Sequence, residues 1–152
     1  MTPPQPRQLP LIGVAAVITN DAGEYLLHLR DNIPGIANPG TWSLIGGHID
    51  EGEQPEQAME RELLEEAGIE DCRMDAYLRI RNQSAEGVST GLIQTFTGRW
   101  EGSAKNLPVT EGIMFHFFPP AMLPRLVVCP WADSLLHEHA QNTSHGKLRK
   151  AS

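Results

Sequence analysis

The stretch Gly47–Ile69, GHIDEGEQPEQAMERELLEEAGI, constrains this chain more than any other part of it. Pro55 suits a helix start, because its missing N–H would be unpaired in a first turn anyway. Gly68 suits the stop, as a residue that accepts a left-handed turn. Between them Glu62, Glu65 and Glu66 fall on one helical face, since positions three and four apart are neighbours. Like charges at that spacing cost a helix roughly 0.2–0.5 kcal/mol per pair. A solvated acidic face is the ordinary outcome of such a pattern. The other outcome is a divalent cation that neutralises the cluster. Hard cations such as Mg²⁺ take oxygen ligands and sit between carboxylates and phosphates.

The rest of the chain supplies a single-domain setting for that helix. Its 152 residues suit one core, and 40% hydrophobic with 20% charged residues is the balance of a globular protein. The longest apolar runs, Leu11–Ile18 and Ile113–Phe118, are too short to span a bilayer, so no membrane is expected. Residues 1–10 hold four prolines and no apolar signal core, and read as a flexible arm. The polar residues 141–152 read as a flexible tail, leaving 11–140 as the domain. Cys72 and Cys129 make neither metal spacing nor a disulfide framework. With no secretion signal they read as packed, reduced thiols in a cytoplasmic protein. A net charge of −7 argues against a nucleic-acid polymer as partner, because that binding needs a basic surface.

Leu11–Thr19 is a continuous apolar, β-branched run, the pattern of a buried strand. Asn20–Gly23 is a turn signal, and Glu24–Arg30 completes a hairpin. Residues 31–41 form a loop, and Thr41–Ile45 a short strand entering Gly46-Gly47. Beyond the acidic helix, Cys72–Asn82 and Thr90–Trp100 read as longer strands around a polar turn at Gly87, and Ile113–Phe118 as a compact one. A final helix starts near Pro130 and runs to about Ala140, with Trp131, Leu135 and Leu136 facing the core. A mixed sheet with one helix in the middle and one at the end fits an α/β sandwich.

The central window resembles the catalytic box of the Nudix (MutT-like) hydrolase family. That box reads Gly, five residues, Glu, seven residues, Arg-Glu-aliphatic, one residue, Glu-Glu, one residue, Gly-aliphatic. Gly47, Glu53, Arg61, Glu62, Leu63, Glu65, Glu66, Gly68 and Ile69 supply it without gap or substitution. A chance match is well under about one in a million per starting position. The resemblance implies a curved mixed sheet between helices, with the box as loop–helix–loop. It implies hydrolysis of a P–O–P link in a nucleoside triphosphate or another nucleoside diphosphate derivative, releasing a nucleoside monophosphate. The expected cofactor is Mg²⁺, with Mn²⁺ as a substitute. The expected partner is a small nucleotide, and analogy allows a homodimer. Metal ions both neutralise phosphate oxygens and acidify a bound water, which suits attack on an anionic phosphorus.

Carried over residue by residue, Glu62, Glu65 and Glu66 would be the metal ligands, with the backbone carbonyl of Gly46. Glu53, Arg61, Glu66 and Glu111 are the catalytic candidates. Arg61 would orient Glu53 or a neighbouring glutamate by a charge-assisted hydrogen bond; its ordinary alternative is a surface ion pair. For the general base, Glu111 leads by position, Glu101 follows, Glu86 is third, and Glu53 could fill the role too. Arg30 resembles an arginine that reaches substrate phosphate. Where the family often has proline before the glycine pair, this chain has Ile45, which puts the stiffness of that turn in question.

Other residues read as structural. His48 follows the glycine pair and could lie near the phosphates, a solvent-facing loop histidine being the ordinary reading; His137 and His139 are surface residues, and Trp42 lies in the core. Trp100 and Phe115 could stack a base, though packing is the default for strand aromatics. Residues 31–41 and 101–110 are the expected walls of a substrate pocket. A nucleotide-sugar or ADP-ribose type pyrophosphatase is the alternative activity, and a non-catalytic nucleotide sensor the alternative class. Hydrolysis at a sugar carbon is disfavoured by the intact box.

Overall fold

The computed structural model of the chain describes residues 9–83 and 88–151. All of the proline-rich arm but Leu9 and Pro10, the turn at Gly87, and Glu86 lie outside them. Strands β1 (Leu11–Thr19), β2 (Tyr25–Leu29), β3 (Trp42–Ser43) and β4 (Ile45–His48) precede helix α1 (Pro55–Ala67). Strands β5 (Met74–Gln83), β6 (Ser89–Arg99) and β7 (Met114–Phe118) lead to helix α2 (Pro130–Ala151). Short 3₁₀ turns occupy Ala104–Asn106 and Pro120–Arg125. Among the described residues, no helix is long and apolar enough to cross a membrane.

The seven strands form one mixed sheet with β1 at its centre. β1 runs parallel to β6 and antiparallel to β2 and β4. Its alternate residues serve two cores, which explains an apolar run without polar interruption. Val14, Ala16 and Ile18 face α1, while Val17 joins the core under α2. The architecture is therefore the expected α/β sandwich, with a helix on each face of the sheet.

Two boundaries differ from the sequence reading by more than a residue or two. The single strand expected over Thr41–Ile45 is two, broken at the buried Leu44. The break lets the chain change partners, since Trp42 and Ser43 pair with β2 while Ile45–His48 pairs with β1. The last helix also runs well past Ala140, to Ala151.

Helix α1 shows why the acidic face can fold. Ala58, Met59, Leu63 and Ala67 make one buried stripe against the sheet. Burying a side chain such as Met59 or Leu63 contributes about 1.5–3 kcal/mol, several times the repulsion between two neighbouring glutamates. Packing wins. The helix opens on Pro55, behind Gln54, whose N–H donates to Gln57 Oε1 at 2.9 Å. It closes on Gly68 at φ 64°, where the N–H groups of Gly68 and Ile69 reach back to the carbonyls of Leu64 and Leu63.

Candidate active site

The site lies where the buried side of α1 meets β4. Gly46 and Gly47 pair with Ala15 and Val14 of β1, leaving no space above either glycine. A Cβ on Gly47 would collide with the Glu62 carboxylate, and one on Gly46 with the Val14 carbonyl. Both positions need glycine for close approach, not for an unusual φ. Ile45, standing where proline is common in the family, is buried and paired with Ala16. The sheet ladder fixes the glycine turn that proline would otherwise stiffen.

Arg61 organises the acidic residues. Its Nε donates to Glu53 Oε2 at 2.8 Å and its Nη2 to Glu53 Oε1 at 3.0 Å. Its Nη1 reaches Glu62 Oε1 at 2.9 Å and Glu65 Oε2 at 3.1 Å, and Nη2 also donates to the His48 carbonyl at 2.9 Å. The expected pairing with Glu53 is present, as one bond pair of a wider network. These bonds hold the Glu53 carboxyl below its usual range, helped by the Asp50 N–H at 2.8 Å. They raise the Arg61 pKa in turn.

Glu66 is treated differently. Burial and the nearby Glu62 push its carboxyl up to about 8, against a backbone hydrogen bond from Gly46 that favours the charged form. Glu111 adds to the upward push. Glu66 is thus a partly buried acid for which, among the described residues, no ion pair offsets the cost of its charge. An all-oxygen set with an uncompensated carboxyl has the chemistry of a hard-cation site, so Mg²⁺ fits these residues. Among the described residues, however, no three carboxylate, histidine or cysteine side chains already converge on one point. Glu62 and Glu65 are each bonded to Arg61.

Glu66 and Glu111 line a cleft with Arg30, Gly46, Gly47 and His48. One part of it, about 390 Å³, is walled by Glu62, Glu65 and Thr110. The other, about 200 Å³, runs inward between Ile12 and Ile93 to Asn82 and Trp131. Of the expected residues, Arg30, Gly46, Glu62, Glu65, Glu66 and Glu111 come together here, with Glu53 and Arg61 braced behind them. Glu101 does not. It accepts the Asp21 N–H in the β1–β2 turn, at the opposite end of β1 from Gly13 and His48.

Several side chains depart from their sequence reading. His139 is no surface residue: its Nδ1 lies 2.7 Å from the Tyr25 hydroxyl, edge-on to Tyr25 and Tyr77, and burial lowers its pKa. His137 stays exposed beside Asp133. Ala104 and Leu107 of 101–110 pack on the α1 core, and of that segment Thr110 reaches the cleft. From 31–41, Ala37 and Asn38 border a groove beyond Trp131. Trp100 stacks on Phe117 and Trp42 packs edge-on to Phe118.

Three cleft residues escaped the sequence reading. His28 lies inside a strand pattern, where its placement among apolar neighbours is the available signal. Asn82 reads as a strand end. Trp131 looked like core, and is half-buried with its free side on the cleft.

A family model for the NUDIX domain matches residues 9–138. A Bacillus subtilis (strain 168) protein named as a candidate 8-oxo-dGTP diphosphatase is 28% identical over 119 residues, covering 76% of this chain and 71% of that one. The NUDIX domain of Shewanella oneidensis NrtR, solved with ADP ribose, superposes with a TM-score of 0.71 at 21% identity, over 91% of this chain and 90% of that chain. The MutT protein of Methanosarcina mazei Go1 gives 0.70 at 20% identity, over 91% and 99%. These two likenesses establish the shared fold. With the box complete and the family match covering most of its length, this chain belongs to the NUDIX family, as a pyrophosphohydrolase of phosphoric anhydrides.

Proposed function

We propose that the protein hydrolyses a nucleoside triphosphate or another nucleoside diphosphate derivative to a nucleoside monophosphate, with Mg²⁺ as cofactor and Mn²⁺ as a substitute. The observation that carries this reading is the shape of one continuous cleft. Its mouth is acidic with a single guanidinium, from Arg30, and its interior offers apolar walls, an amide and an indole. That sequence of environments matches a molecule with a diphosphate at one end and a nucleoside at the other.

Glu62, Glu65 and Glu66, with the Gly46 carbonyl, would hold the cation. When bound it would neutralise phosphate oxygens and acidify a coordinated water. Arg30 takes a phosphate oxygen at the mouth. Glu111 accepts the proton of the attacking water as the new O–P bond forms and the bridging P–O bond breaks. Glu53 is less suited to that task, because Arg61 and the Asp50 N–H occupy both its oxygens. Ile12, Ile93 and Trp131 exclude bulk water from the inner compartment, and Asn82 presents an amide to the base.

A nucleoside diphosphate sugar of the ADP-ribose kind is the second reading. The cleft continues past Asn82 and Trp131 into a groove of about 790 Å³ between β5 and α2, which leaves room for a second group. A substrate panel assayed for nucleoside monophosphate release with Mg²⁺ separates the readings, using wild type and Glu66→Gln. The expected result is turnover by wild type and a loss of about two orders of magnitude in the variant. Equal rates for the two proteins would refute the hydrolytic reading and leave a nucleotide-binding module.

A further inference from the structure

Glu111 sits on a loop, yet as the base it would have to be held within about 0.5 Å of its productive place. The loop is anchored from three directions. Thr110 Oγ1 donates to the Glu65 carbonyl of α1 at 3.1 Å. The Gly112 N–H donates to Asp31 Oδ2 at 3.2 Å. Between them, His28 Nε2 lies 2.7 Å from the carbonyl oxygen of Glu111 itself.

His28 is built for that contact. It is 7% exposed on β2, and its ring stacks on Phe115 at 4.5 Å with planes 16° apart. Phe115 pairs with His28 across β2 and β7, so both rings are fixed by the sheet. Gly112 lies directly over the imidazole at φ 80°, and a Cβ there would strike Nε2. The ring therefore fills the space under the loop as well as bonding to it.

We propose that His28 is a positioning residue for the reaction, clamping the Glu111 main chain so that its carboxylate is held at the mouth of the cleft. This rests on the reading of Glu111 as the base. A carbonyl oxygen only accepts, so Nε2 must carry the hydrogen. Burial lowers the pKa of His28, which favours a neutral ring with a single N–H. Neutral His28 is thus the Nε2–H tautomer, and the clamp acts without charge.

The test combines kinetics with a spectroscopic readout. His28→Ala should lower kcat about 10–100-fold with KM for the nucleotide changed by no more than about threefold. His28→Gln keeps an N–H donor at a similar reach and should recover most of the rate. Because clamp and base act as one unit, His28→Ala should add little to the loss already caused by Glu111→Gln. Independently of activity, nitrogen NMR of the imidazole should report the Nε2–H tautomer in wild type.

Full-rate His28→Ala beside a slow Glu111→Gln would overturn the clamp alone. So would fully additive losses, an unrestored His28→Gln, or an Nδ1–H tautomer. A Glu111→Gln protein at the wild-type rate would overturn the base assignment, and the positioning role with it.

Discussion

Glu66 offers the sharpest test of the site's electrostatics, in the metal-free protein. Its carboxyl has a pKa of about 8 in the fold against 4.5 ordinarily. Between those values the folded chain keeps a proton that the unfolded chain releases. The folded state then binds more protons, so stability falls as pH rises through that window. Below pH 4.5 both states are protonated and the effect vanishes. Integrating the linkage gives a cost of about 3 kcal/mol at pH 7 and about 4 kcal/mol at pH 8. Glu66→Gln removes the titration while keeping the shape. Urea denaturation in EDTA, followed by tryptophan fluorescence, should show the variant gaining on wild type by that amount between pH 5 and 8. Glu62→Gln, which removes the neighbouring charge, should recover a smaller part. A wild-type-to-variant difference that stays flat across the pH range would show that the Glu66 carboxyl is not perturbed, and the argument for an unbalanced charge would fail.

Cation binding should expel the same proton. Calorimetric Mg²⁺ titrations at pH 7, in buffers of different ionisation enthalpy, should show release approaching one proton per site, and none in Glu66→Gln. Gly47→Ala places a methyl group on the Glu62 carboxylate and should cut kcat about 10–100-fold while circular dichroism shows the fold retained; a fully active Gly47→Ala would mean that Glu62 is free to move. Trp131→Ala should raise KM for a nucleotide roughly tenfold or more, as loss of a stacking surface does. An unchanged KM would place the base elsewhere.

The acidic helix was the most legible part of the molecule, because its signals are local. A proline opens it, a glycine closes it, and spacing alone puts three glutamates on one face. β1 was equally readable, since a strand buried on both sides has a continuous apolar pattern. The split between β3 and β4 was not, because it depends on which strand each half pairs with. The same holds for His28 and His139. Their surroundings come from β7 and from Tyr25 and Tyr77, far away in sequence, so a pattern read along the chain carries no trace of them. Glu101 misses the cleft for the mirror reason: its position after a strand suits a loop base, but it lies at the other end of the sheet, beside Asp21.

The parallel ladder between β1 and β6 has a kinetic consequence. It sets Leu11 beside Leu92, so the intervening chain must be looped out before a single rung forms. Loop closure of that size is an entropic hurdle, and such pairings govern how slowly a domain refolds. Helix nucleation within Pro55–Ala67 needs only neighbours and relaxes in about a microsecond, but a helix of 13 residues gains its stability when its apolar stripe packs on the sheet. During refolding the glutamates are therefore held in their array only once the ladder has brought the sheet under that stripe. Recovered ellipticity should precede recovered turnover, with competence for catalysis arriving as the last event on the path.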